Sequence, residues 1–162
     1  MHWMRRLGWL ALAYLGYSVL MLVFERGMRK TGGPGIVAFE LAGNATRSQE
    51  ILAAWGADGR RWARLSLWLD FGYMLTYGTL VGLLIERVRG RRGDPAALWL
   101  LPIGVVAGDA IEGVALLKVL DGVDLDVNAG CAKAAALTKF ALLGLALAYA
   151  GIRSVQRVSP AS

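Results

Sequence analysis

The sequence predicts an all-α fold: a four-helix transmembrane bundle with an amphipathic interfacial helix between its first two spans. Three observations carry that expectation. Of the 162 residues, 56% are hydrophobic, whereas soluble domains sit nearer about 45–50%. The excess falls into four blocks, each long enough at about 1.5 Å rise per residue to cross a hydrocarbon core of roughly 30 Å. The arginines flank these blocks, so the net charge of +6 is best matched to phospholipid headgroups. The same distribution argues against nucleic acid as a partner, because no basic face forms on a folded soluble unit. The expected location is a cell membrane crossed several times, and the bacterial inner membrane in particular.

The first block, "LGWLALAYLGYSVLMLVF" at residues 7–24, follows a basic start. It is longer than a usual signal-peptide core and no A-x-A site closes it, so it reads as a retained span. The next 40 residues carry the breaker cluster "TGGPG" at 31–35. Within them, residues 36–56 place Val37, Leu41, Ala45, Leu52 and Trp55 at helical spacing and Glu40, Arg47 and Glu50 on another face, which predicts an amphipathic helix lying on the membrane or over the bundle. "ADG" at 57–59 is the expected break, with Asp58 as N-cap of the second span.

That second span covers 65–85, interrupted only by Asp70. "RVRGRRGDP" turns the chain into the third, 98–120, and "DGVDLDVNAG" into the fourth, 131–152, so the chain is one membrane domain with antiparallel neighbours. The arginine loop at 87–92 and the acidic loop at 121–126 assign both termini to the cytoplasmic side. Trp3, Trp9, Trp62, Trp68 and Trp99 fall near span ends, as an aromatic belt requires. "GVVAG" lets a backbone approach at Gly104 and Gly108, within the bundle or across a homo-oligomer contact.

The chemistry lies in the charges inside the spans. Asp109 and Glu112 share a helix face, three residues apart. Asp70, Tyr73 and Tyr77 form one stripe, and Tyr14, Tyr17 and Ser18 make a polar patch on the first helix. By helix rise Asp70, Glu112, Lys139 and Asp109 fall within roughly 6 Å of one another in depth. Ionisable groups in hydrocarbon turn inward and seek partners, which predicts a shared centre of Asp70, Asp109 and Glu112 around Lys139, edged by Tyr73 and Tyr77. One lysine does not balance three carboxylates. A proton, a cation, a basic ligand or Lys118 must complete the charge.

Other chemistry is absent from the pattern. One cysteine, Cys131, and one histidine, His2, exclude an internal disulfide and any His/Cys metal or haem site, so no cofactor and no metal are expected. Cys131 reads as a small packing residue. Nucleotide-binding, zincin and nucleophile-elbow motifs are missing.

"FELAG", "ILAAWG", "LWLDFGYMLTYG", "DAIEG" and "LTKF", in this order, resemble a family of small four-helix bacterial integral membrane proteins without an assigned activity. The resemblance covers roughly residues 36–150. It implies a recurring acid at Asp70, an acid pair at Asp109 and Glu112, and the Lys139-Phe140 step. Gly113 departs from it, standing where a polar residue such as Asn is expected after the second acid. No activity follows from the likeness. The residues themselves lead to a transporter-like or binding protein whose centre takes a small polar or cationic ligand, or carries protons. Two rivals stand beside it. One is a membrane-embedded enzyme acting on a lipid or isoprenoid. The other is an accessory subunit whose charges only pair helices.

Overall fold

The computed structural model describes residues 2–90 and 93–155, with side chains from Gly8 onward. Arg91, Arg92 and Arg157 lie outside the described residues, as do the side chains of His2, Trp3, Arg5 and Arg6. Every regular element among the described residues is helical: α1 (His2–Lys30), α2 (Ile36–Glu40), α3 (Ala45–Gly90), α4 (Leu100–Leu120), preceded by a 3-10 turn at Ala96–Trp99, and α5 (Leu125–Val155). Four of them, all but α2, are long and apolar enough to cross a membrane.

The helices run well past the apolar blocks. α3 has 46 residues and α5 has 31, and the extra turns build a separate core at one end. There α2, the first turns of α3, the ends of α1 and α4 and the start of α5 bury Met28, Phe39, Ile51, Leu52, Trp55, Leu116, Val119 and Ala132. Residues 36–56 are thus two packed pieces and not one surface helix. Leu41 closes α2, and Asn44 restarts the chain by accepting the Arg47 N–H at 2.8 Å, the side-chain cap that a new helix needs. Asp126 Oδ1 accepts the Ala45 N–H at 2.6 Å.

The break expected at 57–59 sits at Gly56, whose φ of 57° and ψ of −159° belong to a region open essentially to glycine. The Leu52 carbonyl accepts from Arg60 Nε at 2.9 Å, so a carbonyl at the end of the first helical segment is satisfied across the kink.

Among the long helices α4 packs most extensively on α5, α3 touches both, and α1 packs chiefly on α3. Small residues set the approach of α4 to α5. A Cβ at Gly104 would strike Leu142, and one at Gly108 would crowd Lys139 and the Ala135 carbonyl. Both glycines therefore face α5 within the chain. Polar ties close the end away from the buried core. Glu86 accepts from Arg89 and from Trp99 Nε1 at 2.9 Å, and Tyr149 donates to Asp94 at 2.7 Å. Trp9 and Trp68 are exposed, whereas Trp62 packs against Phe24 and Gly27. Cys131 is also exposed, because its helix face turns away from the buried Ala129, Ala132 and Ala136.

Candidate functional site

Asp109 and Glu112 lie one helical turn apart on α4 and project together towards α5. Gly108 lets that helix approach closely enough for Lys139 to reach both. Lys139 Nζ donates to Asp109 Oδ1 at 2.6 Å and stands 2.7 Å from Glu112 Oε2. The three residues are 3%, 2% and 8% exposed, respectively for Asp109, Glu112 and Lys139. Such burial is tolerable only for charges that find each other. The second oxygen of Asp109 accepts the Tyr77 hydroxyl from α3. Glu112 Oε2 is ion-paired with the ammonium but lies off the direction of a hydrogen bond to it. It is the one buried side-chain oxygen or nitrogen without a hydrogen-bond partner among the described residues.

The tyrosines continue the polar track towards α1. Ser18 Oγ donates to the Tyr14 carbonyl at 2.8 Å, leaving its oxygen to accept from Tyr73, 3.2 Å away. Tyr73 stacks on Tyr14 with centroids 5.5 Å apart and meets Tyr77 edge-on at 5.4 Å.

Asp70 is placed differently from the other acids. It is half-buried and makes no hydrogen bond or ion pair among the described residues, yet it lines the same cavity as Asp109 and Lys139. That cavity has a volume of about 530 Å³, within the range of roughly 300–1,000 Å³ usual for small-molecule sites. Lys118 is exposed at the end of α4, so it does not supply a second cation to the centre.

Glu40 is the residue that pattern reading assigned to the wrong surroundings. It ends α2, borders the cavity, and lies within electrostatic reach of Lys139, Asp109 and Glu112. Burial pushes its carboxyl above the ordinary glutamate range; Lys139 pulls the other way and Asp109 adds to the rise. α2 is held in place by Glu25, whose Oε2 accepts the Ile36 N–H at 2.9 Å, and by Trp55, whose Nε1 donates to the Pro34 carbonyl at 2.7 Å. The centre thus contains four carboxylates, from α2, α3 and α4, and one lysine from α5. Among the described residues no three His, Cys, Asp or Glu side chains converge as a metal ion would require.

No protein-family model matches the chain, and no curated protein or solved structure shows significant similarity to it.

Proposed function

We propose that the chain is a multi-pass protein of a cell membrane, the bacterial inner membrane, with both termini in the cytoplasm. On this reading its four long helices form a transmembrane bundle, and α2 with the first turns of α3 covers one mouth at the interface. Its Asp/Glu/Lys centre binds a small polar or cationic group, or carries protons, as a transporter-like or binding protein does. One observation supports this above the rest: a cavity reaches Asp70, Asp109 and Glu40 beside a single, already engaged Lys139. Charges that served only to pair helices would be sealed and balanced. Here there are more acids than bases and an open space in front of them. Asp109, held between Lys139 and Tyr77, would face the ligand's cationic head, and Asp70 would supply the unengaged carboxylate. Tyr73 would orient the ligand through its hydroxyl and ring.

Calorimetric titration of the micelle-solubilised protein with tetramethylammonium, in two buffers of different ionisation enthalpy, tests this directly. A saturable heat is expected, together with buffer-dependent proton release, and both should vanish in D109N. Absence of any heat and of proton exchange would remove the reading. A K139M/E112Q protein that folds and retains full cellular function would leave helix pairing as the role of the charges.

A further inference from the structure

The cavity is not uniform along its length. Its polar part is Glu40, Asp70, Tyr73, Tyr77, Asp109 and Lys139, with Met21, Ile36, Val37 and Leu67 lining it on the α2 side. Beyond Tyr77 and Lys139 the walls are Leu80, Val81 and Leu84 from α3 and Phe140, Leu143 and Leu147 from α5. By helix rise this apolar stretch extends about 10 Å. Water finds no hydrogen-bond partner on such walls, and an inorganic ion or short solute gains nothing from them. Nor is the stretch sealed, since Leu84, Phe140 and Leu147 are 39%, 43% and 49% exposed. These side chains form the rim of a lateral slot between α3 and α5, open on the flank that meets lipid tails if the helices span a bilayer.

We infer that the ligand is a single-chain amphipathic cation, an amine or quaternary ammonium whose tail lies in the slot between α3 and α5 and whose head reaches the acids from the bilayer side. The inference rests on the proposed role of the acid-rich centre and adds the ligand's class and route. The head is cationic because four carboxylates face one lysine that Asp109 and Glu112 already engage. An anionic head would meet those carboxylates with no free cation. The rings of Tyr14 and Tyr77, each in contact with Tyr73 at the cavity edge, offer with it faces that attract an ammonium group. The tail does not bind through the hydrophobic effect, because the lipid it leaves is as apolar as leucine. Its role is to confine the head to the depth of Asp109. Tail position, and not affinity, is therefore the discriminating readout.

The full chain in phosphatidylcholine nanodiscs is irradiated with a long-chain alkylamine bearing a mid-chain diazirine, and labelled residues are located by peptide mass spectrometry. Labelling is expected at residues 80–84 and 140–147. An unlabelled long-chain amine should compete and the matching fatty carboxylate should not. L143W, which fills the slot, and L147W, at its exposed rim where folding is not at stake, should each abolish the competable label. Label spread over Leu12, Leu15 and Ile111, unaffected by competitor, overturns the inference. Failure of the two levels is distinguishable. If tetramethylammonium still gives its saturable heat while the long-chain probe labels no preferred residue, only the tail assignment falls. If neither amine binds, the acid-rich centre falls as a binding site, and the tail with it.

Discussion

The two ends of this molecule are built on different principles. At one end α1, α2, α3, α4 and α5 bury a contiguous core around Trp55, Phe39 and Met28, each 0–1% exposed. At the other, the buried apolar cluster shrinks to Val81, Ile85 and Ala146, and α3 and α5 stand apart enough to leave a slot. Water around the first would drive its packing, because apolar area removed from water stabilises at about 25 cal/mol per Å². A bilayer around the second would supply no such drive, and helices there are held by close backbone approach and polar ties. The Gly104 and Gly108 contacts on α5 and the ties through Glu86, Asp94 and Tyr149 are of that kind. The acid-rich centre lies where the two regimes meet. Its residues are positioned from the packed end and face the loose one.

The largest effect that tests this contrast comes from the boundary itself. K139M removes the cation from two buried carboxylates and is expected to destabilise by about 3–5 kcal/mol. K139M/D109N should recover part of that loss, which a double-mutant cycle on unfolding in micelles would measure. Equal and additive losses would mean that the two side chains do not interact.

Next, the same truncation should weigh differently at the two ends. Leu116 is 1% exposed within the packed core, and L116A is expected to cost roughly 2–5 kcal/mol. L143A at the slot leaves a gap already open to its surroundings and should cost clearly less. Equal costs would show that the slot is closed in the bilayer. A smaller effect, on the order of 1–3 kcal/mol, is expected for G56A, since alanine resists the positive φ at the kink. An unchanged unfolding midpoint would show that the first turns of α3 do not depend on it.

The smallest effect concerns Glu40. Because burial raises its carboxyl above the usual value of 4.5, the folded state binds this proton more tightly than the unfolded one. Stability is then fullest below that ordinary value and declines as pH rises through the folded-state value. E40Q should flatten the decline seen in wild-type unfolding midpoints across the acidic-to-neutral range. Parallel curves for the two proteins would place Glu40 away from the centre.

The four long helices were legible because an apolar run of membrane length has few other uses. The convergence of Asp109, Glu112, Lys139 and Tyr77 was also legible, since depth by helix rise and face by spacing both follow from residue numbers alone. Asp70, expected among the acids around Lys139, lines the cavity beside it but forms no ion pair with it, because spacing fixes a face and not the reach of a short side chain. Glu40 escaped for a different reason. Its helix has five residues, too few for a period to declare itself, and the segment's apolar and polar faces suggested a helix on the membrane or over the bundle with Glu40 on its polar side. What holds it inward is non-local: Glu25 from α1 and Trp55 from α3 fix α2 through contacts 11 and 21 residues distant in sequence. The break read at 57–59 went to Gly56 because the bend requires a backbone angle, and no composition rule locates that to the residue.

The central claim is that side chains from α4 and α5 meet within the spans. In protein reconstituted into bilayers with Lys30, Lys118 and Lys133 replaced by arginine, solid-state NMR recoupling between the Lys139 ammonium nitrogen and carboxyl carbons reads this contact. Strong dipolar coupling to both an Asp and a Glu side chain is expected, from nitrogen–oxygen separations of 2.6 and 2.7 Å. No coupling to either would contradict the centre on which the proposed function depends.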